Sequence, residues 1–408
     1  MPRRGPCSAS NLNTIMSMLP RIILKKGKEK PLLQGHPWVF SGAVSRAEGD
    51  FSPGDLGEAW SPGGQFLGVG FVNLRSQIIF RLLSQERKEI HLGFFKERMG
   101  RALLLREKWL RGRTNAYRMV NSEGDLLPGL IVDRYGEGFV IQCLTAGMER
   151  LKPALTDLLA REFHGEWVFE RSDVATRKEE GLEERKDLLY GRDVFDHVEI
   201  EEHGCRFRVN VRDGQKTGFY LDQRENRALL ETICQGKNVL DCFCYTGAFS
   251  VYAVRGGAEA VTLVDSSEDA LHRAEEHLDV NRLEKIPRRL IRGDAFKVLR
   301  DLDPGYDVVI LDPPPFAKKK SQLSGASRGY KDLNLQAFRL MKAEGVLLTF
   351  SCSHYMDWAL FQKIVFSAAV DAKRKVQIIG RMGHPVDHPF DLCHPEGEYL
   401  KGFICRVF

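Results

Sequence analysis

Between Asn238 and Ser351, short hydrophobic runs alternate with amphipathic stretches of helical length, and this alternation limits what the chain can fold into. The strand-like runs are Asn238–Asp241, Ala260–Asp265, Pro287–Arg292, Tyr306–Leu311 and Gly345–Ser351. Helical patterns fill the gaps at Phe249–Arg255, Glu268–Asn281, Ala295–Leu302 and Lys331–Met341, and a further one follows at Met356–Ala372. Two more runs, Gln377–Arg381 and Lys401–Val407, finish the chain as strands. Strands alternating with helices predict an α/β fold, a Rossmann-like parallel sheet wound on both sides. Ligands of such sheets bind outside the carboxyl ends of the strands, so the informative residues should follow the strands directly.

Five strand ends carry candidate chemistry. The first reads Asp241-Cys242-Phe243-Cys244-Tyr245-Thr246-Gly247, an acid and then a loop whose glycine opens a helix. It lacks the G-x-G-x-x-G spacing that brings a backbone against a dinucleotide pyrophosphate, which argues against NAD. The second ends in Asp265-Ser266, where a carboxylate could take ribose hydroxyls, or Ser266 or Ser267 could simply cap the next helix. The third is Asp294-Ala295; the acid could accept a hydrogen bond from an exocyclic amine, cap a helix, or do both. The fourth is Asp312-Pro313-Pro314-Pro315-Phe316, in which three prolines fix the backbone and hold one acid rigidly at a cleft. Such an acid beside an aromatic suits the polar edge of a flipped-out base. The fifth places Cys352 between Ser351 and Ser353, where position favours a reactive thiol over the inert small hydrophobe that free cysteines usually are.

The first part of the chain reads differently. Met1–Pro20 has no apolar stretch long enough for a secretory signal and reads as a flexible extension. Residues 21–91 alternate short apolar runs with Gly/Pro turns and predict a small β-barrel. Residues 1–100 hold 14 Lys and Arg against 8 Asp and Glu, an excess as large as the whole chain's +5. Lys25 and Lys26 open this barrel, and Trp38 follows His36-Pro37. Cationic charge beside a flat ring suits phosphates and a stacked base, although a core role for Trp38 weighs more on the residues alone. Residues 92–190 predict an α+β unit, with Arg177–Lys186 as a charged loop, and residues 191–408 form the sheet domain. No apolar run reaches the roughly 18 residues of a membrane span. Nine cysteines without regular spacing fit a reduced, cytoplasmic compartment and no disulfide or metal framework.

Three acids for a nucleoside-type ligand, one rigid acid and one thiol fit S-adenosylmethionine with a pyrimidine acceptor. Cytosine C5 is a poor nucleophile until a thiolate adds to C6, and an acid near N3 or the exocyclic amine stabilises the charge that then develops. The residue that removes the C5 proton is not marked by any pattern.

These residues resemble the bacterial 23S ribosomal RNA cytosine-5 methyltransferases that carry an N-terminal PUA domain. The resemblance rests on Gly35-His36-Pro37-Trp38-Val39-Phe40, on the run from Gln215 to Arg224 (QKTGFYLDQR), on Asp312–Phe316, on Ser327–Asp332 (SRGYKD) and on Phe350-Ser351-Cys352-Ser353. It implies a PUA barrel, a central EEHI-like α+β domain and a class I methyltransferase domain. It implies that Cys352 is the nucleophile, with Asp312 beside it. It implies that Phe219, Asp241, Phe243, Tyr245, Thr246, Gly247, Asp265, Ser266, Asp294, Ala295 and Asp312 line the donor and base pocket. Read without the resemblance, Gln215–Arg224 is a Gly-turned hairpin and Lys216 a solvated lysine. Lys318 and Lys319, followed by Arg328 and Lys331, form a basic stretch near the active site that could contact phosphates. Pro315 departs from the Lys or Ala that often stands in this loop of the family. The implied partner is 23S ribosomal RNA, free or in an assembling large-subunit particle; a homodimer is compatible, but no pattern marks one. His384, Asp387 and His388, in a Pro-rich segment, are left unassigned. The competing readings are methylation of another base atom, such as a guanine nitrogen, and a silent RNA-binding assembly module.

Overall fold

The computed structural model describes residues 19–193, 197–317 and 319–408; Lys318 and nearly all of the predicted N-terminal extension lie outside them. The described residues form two compact units, residues 19–109, 118–193 and 390–395 in the first and residues 110–117, 197–389 and 396–408 in the second.

In the first unit, β1 (Arg21–Leu24), the short α1 (Lys30–Leu33), β2 (Trp38–Phe40), β3 (Val44–Glu48), β4 (Asp55–Trp60), β5 (Phe66–Val72) and β6 (Ile78–Ser84) come first. Their six strands pair in the order β2-β6-β5-β4-β1-β3. Alternate apolar residues bury Ile22, Leu24, Val39, Leu67, Val72 and Phe80 in one core. A second sheet follows α2 (Leu92–Leu110): β7 (Ala116–Asn121), β8 (Leu130–Tyr135), β9 (Gly138–Cys143), then α3 (Ala146–Arg161), β10 (Trp167–Ser172) and β11 (Arg185–Gly191). The stretch expected as a loop, Arg177–Lys186, instead supplies a 3₁₀ turn (Ala175–Glu180) and the start of β11. Its charge is partly internal: Arg177 is buried, donating from Nε to the Glu183 carbonyl and from Nη1 to the Cys143 carbonyl and Glu149. A buried guanidinium is indistinguishable, in sequence, from a solvated one.

The second unit opens with a hairpin, β12 (Val198–Glu202) and β13 (Cys205–Val209), that the sequence reading missed. Residues 215–220 then run as turns into a 3₁₀ turn at Leu221–Gln223 and α4 (Arg224–Glu231), not as the expected hairpin. The main sheet follows: β14 (Asn238–Cys242), α5 (Ala248–Arg255), β15 (Ala260–Asp265), α6 (Glu268–Val280), β16 (Arg288–Arg292), α7 (Ala295–Asp301), β17 (Tyr306–Leu311), α8 (Leu323–Leu340), β18 (Met341–Ser351), α9 (Trp358–Asp371), β19 (Val376–Met382) and β20 (Lys401–Val407). The strand order is β16-β15-β14-β17-β18-β20-β19. The first five strands are parallel, as the alternation predicts, but β20 runs antiparallel to both neighbours. The inner parallel strands β14, β15 and β17 are largely hydrophobic and buried, as strands covered on both faces are, whereas the edge strand β16 (RRLIR) is not. The order reverses at β14, and β14 and β17 diverge there into their loops, the place where such sheets bind ligands.

Helix α8 begins at Leu323, eight residues before the expected start, so Arg328 and Lys331 lie on a helix. Gly325 and Gly329 within α8 weaken its signal in the sequence.

Candidate active site

The loop between β14 and α5 is the tightest part of the unit. Phe243, Tyr245 and Gly247 all have positive φ (61°, 48° and 69°). Left-handed backbone at two non-glycine aromatics is costly and persists only where the surroundings hold it. Here the Tyr245 N–H donates to Asp265 Oδ2 at 2.9 Å, and the Cys244 N–H donates to the Val264 carbonyl at 3.2 Å. The Arg208 N–H donates to His277 Nε2 at 3.0 Å, so the ring carries its proton on Nδ1, which faces the Thr246 carbonyl at 2.8 Å. Burial pushes His277 toward this neutral form. Gly247 is required twice over: its φ is left-handed, and a Cβ there would lie 2.6 Å from the Ala274 Cβ. Asp265 also accepts from the Ser267 N–H, and it is Ser267, not Ser266, that caps α6. Asp241 is buried below the loop, where the Ser250 hydroxyl donates to it at 2.8 Å. Burial, opposed by that bond, pushes its carboxyl up to about 7.

Across the sheet, Asp312 leaves β17 and Cys352 leaves β18. Gln223 Nε2 donates to Asp312 Oδ2 at 3.0 Å. Burial and the nearby charge of Asp222 push the Asp312 carboxyl up to about 7. The Cys352 thiol lies 3.6 Å from the Pro313 carbonyl, so the proline loop backs the sulfur directly. Burial and the Asp312 charge push that thiol up to about 12. The flanking serines are buried; the Ser353 and Tyr330 hydroxyls are 3.0 Å apart, and the Lys401 ammonium donates to the Ser353 carbonyl at 3.4 Å.

The third wall comes from the irregular segment before α4. Lys216 forms an ion pair with the buried Asp222, which also accepts from the Tyr399 hydroxyl at 2.7 Å. Against the upward push of burial, the Lys216 and His388 charges hold Asp222 well below the usual carboxylate range. Arg227 is buried in a two-pronged pair with Glu202, at 2.8 and 2.7 Å, and donates to the Tyr220 carbonyl at 2.9 Å. Arg224 bonds Asp387, and Asp387 lies beside His388. The residues left unassigned in the sequence thus belong to a buried polar layer of this unit.

Together these walls enclose a cavity of about 390 Å³. Phe219, Phe243, Tyr245, Thr246, Asp265, Ser266, Asp312 and Cys352 line it. Asp241 lies beneath it and Gly247 at its edge, where α5 begins. Asp294 and Ala295 stand apart from the lining: Asp294 caps α7 by accepting from the Phe296 N–H at 3.0 Å, and Ala295 is buried in the core. Lining residues that the residue-by-residue reading missed are Lys216, Tyr220, Asp222, Gln223, Arg227 and Tyr399. The dense polar run QKTGFYLDQR, interrupted by two aromatics, was the one sequence signal for Lys216, Tyr220, Asp222 and Gln223; Arg227 and Tyr399 lie outside it.

The residues expected to contact RNA are distributed over both units. Lys25 and Lys26 are exposed in the first unit, and the Lys25 ammonium donates to the Gly42 carbonyl at 2.9 Å. Trp38 is half-buried there, its Nε1 donating to Glu123 Oε1 at 2.8 Å and its ring edge-on to His394 at 4.4 Å. In the second unit Lys319 and Arg328 are exposed, while Lys331 pairs with Asp371 at 2.8 Å.

Two orphaned atoms tell what the cavity can hold. Thr246 Oγ1 and Asp222 Oδ1, both on lining residues, are buried with no hydrogen-bond partner. Buried polar atoms without partners mark a place for a ligand's polar groups. An acid-rimmed cavity without a glycine-rich phosphate cradle suits a cationic amino-acid-bearing nucleoside better than a pyrophosphate.

The family model for PUA-like domains matches residues 22–85, and that for S-adenosylmethionine-dependent methyltransferases matches residues 184–390. The ribosomal RNA large subunit methyltransferase I of Photobacterium profundum is 46% identical over 396 residues, 96% of this chain and 100% of its own length. That of Vibrio parahaemolyticus is 44% identical over the same shares. A solved methyltransferase complexed with S-adenosylhomocysteine superposes with a TM-score of 0.83 at 25% identity, covering 95% of this chain and 100% of its own. S-adenosylmethionine is therefore the methyl donor, and this chain belongs to the ribosomal RNA large subunit methyltransferase I family.

Proposed function

We propose that this protein methylates C5 of a cytosine in 23S ribosomal RNA, with Cys352 as the covalent nucleophile and Asp312 as the acid that faces the base. One observation carries the reading: the thiol of Cys352 and the carboxyl of Asp312 line the same cavity as Phe243, Tyr245, Thr246 and Asp265 at the donor loop. A nitrogen nucleophile needs no thiol there.

Phe219, Phe243, Asp265, Ser266 and the Tyr245–Thr246 turn hold the donor in this scheme, with Asp241 shaping the turn from below. Asp294 and Ala295, at the end of β16, stand outside the cavity's lining and are the weakest members of this set. Bound S-adenosylmethionine supplies an electrophilic methyl group on sulfur. The Cys352 thiolate adds to C6, and the electrons of the C5–C6 double bond shift through C4 toward N3, where the protonated Asp312 donates its proton. C5 then takes the methyl group as the S–CH3 bond breaks, its electron pair staying on the sulfur that leaves as S-adenosylhomocysteine. Asp312 recovers its proton from N3, a base removes the C5 proton, and the returning electron pair expels the thiolate. An Asp312 carboxyl pushed up to about 7 suits a group that both gives and regains a proton near neutrality. Contacts with RNA are assigned to Lys25, Lys26 and Trp38 on the first unit and to Lys318, Lys319, Arg328 and Lys331 near α8.

The test uses purified protein, methyl-labelled S-adenosylmethionine and unmodified 23S RNA, supplied free and as precursor particles. Nucleosides from the digested RNA are identified by mass spectrometry. Label in 5-methylcytidine, falling to background in Cys352→Ala, is expected. Label in another nucleoside, or 5-methylcytidine that persists in Cys352→Ala, overturns the reading.

A further inference from the structure

Two cations line the cavity, Lys216 and Arg227. Arg227 is fully committed: both Glu202 oxygens face its guanidinium, and 1% of the residue is exposed. Lys216 is different. Its ammonium is fixed on one side by Asp222, and it lies 4.5 Å from the Tyr220 ring centre and 5.6 Å from that of Tyr399. Its backbone is left-handed, with φ of 54°, in a residue type that rarely adopts it. A third of its side chain (34%) remains accessible, while its partner carboxylate has 3%. A surface lysine would be mobile and hydrated; this one is held by a buried acid and two aromatic faces in the cavity that contains the thiol. Strain concentrated at a cavity-lining residue is a recurring mark of function.

We propose that Lys216 is a positioning residue for the nucleophile: its ammonium, anchored by Asp222, is the counter-charge that Cys352 meets when its thiol ionises. The proposal rests on the assignment of Cys352 as nucleophile. Other groups act on the same sulfur. Asp312 after β17 and Asp222 before α4 oppose its ionisation, while Lys216 favours it. Tyr220 and Tyr330 on α8 feel its charge. Lys401 on β20 also feels it, but its ammonium is bonded to the Ser353 and Tyr399 carbonyls at 3.4 and 3.1 Å. When Asp312 carries a proton, its repulsion of the sulfur vanishes and the field of Lys216 remains. Protonation of the acid that faces the base and ionisation of the thiol then favour one another.

The experiment measures alkylation of Cys352 in the full chain by iodoacetamide, in which the thiolate sulfur displaces iodide, followed by peptide mass spectrometry from pH 7 to 10. Turnover is not required, so the result is separable from that of Cys352→Ala. Lys216→Met is expected to slow alkylation at pH 9 about tenfold, the effect of roughly one unit of thiol ionisation. Lys216→Arg is expected to restore most of the rate. Asp222→Asn, which removes a charge opposing the thiolate but also the anchor of the ammonium, is expected to slow alkylation much less than Lys216→Met; a variant that merely loosened the fold would make both changes act alike. Binding of S-adenosylhomocysteine, measured by calorimetry, accompanies each variant. Unchanged alkylation in Lys216→Met overturns the proposal, and unchanged alkylation with lost S-adenosylhomocysteine affinity assigns the lysine to the donor's carboxylate instead. Equal slowing in Lys216→Met and Asp222→Asn also overturns it.

Discussion

Two of the segments that bring a carboxyl to the cavity treat it in opposite ways. The turn-rich run before α4 seats Asp222 against Lys216 and Tyr399, which hold it ionised despite burial. The proline loop after β17 seats Asp312 with one side-chain amide, from Gln223, and leaves it pushed up to about 7. Neighbouring acids whose surroundings drive their proton affinities apart are a way of assigning an acid and a permanent anion within one site. Asp222 is the anion: it anchors a cation and a hydroxyl. Asp312 is the group that changes state near neutral pH.

Replacing each acid by its amide breaks this contrast most directly. Asp312→Asn is expected to lower kcat about a hundredfold or more, the usual cost of losing one group that stabilises developing charge. Its S-adenosylhomocysteine affinity and its Tm should stay close to the parent's. Because the proposed mechanism needs Asp312 protonated and the Cys352 thiol ionised, kcat/KM of the parent should rise with pH up to about 7 and level off above it, whereas the residual activity of Asp312→Asn should go on rising past 7. Asp222→Asn should instead cost stability, about 2 kcal/mol near neutral pH, by leaving the Lys216 ammonium without its buried partner. The sign follows from the depressed proton affinity of Asp222: its stabilisation is present above the ordinary carboxylate range and is lost as pH falls below it. Urea unfolding at pH 7 and pH 4 would therefore separate the parent from Asp222→Asn at pH 7 more than at pH 4. The smallest effect is expected for Gln223→Leu, about tenfold in kcat, because one hydrogen bond to Asp312 disappears while the acid remains. A loss in Gln223→Leu as large as in Asp312→Asn would mean that the amide itself, not the carboxyl, faces the base.

The same two segments show what was legible in the sequence. Asp312 and Cys352 follow strands whose hydrophobic runs are unmistakable, so their shared location could be argued from the fold class alone. Asp241 and Asp265 were found in the same way. Asp294 obeys the rule as well, yet its carboxylate is occupied in capping α7. Asp222 obeys no such rule. Its segment has neither helical nor strand periodicity, and its hydroxyl partner Tyr399 lies 177 residues away along the chain. Arg177, Arg224 and Arg227 are buried with acids supplied by other elements, whereas composition alone counts them as surface charge. The direction of β20 was equally invisible, since strand periodicity is the same for parallel and antiparallel pairing.

Burial of Cys352 has a chemical consequence outside methyl transfer. Hydrogen peroxide and related oxidants react with thiolates, and a thiol pushed up to about 12 is almost wholly protonated at neutral pH. Cys242 and Cys244, at the end of β14 with β17 between them and β18, are buried and pushed well up as well. In the proposed mechanism the sulfur that attacks the base is therefore chemically quiet between substrates, and sulfenic acid formation is disfavoured except while the thiol is ionised for attack.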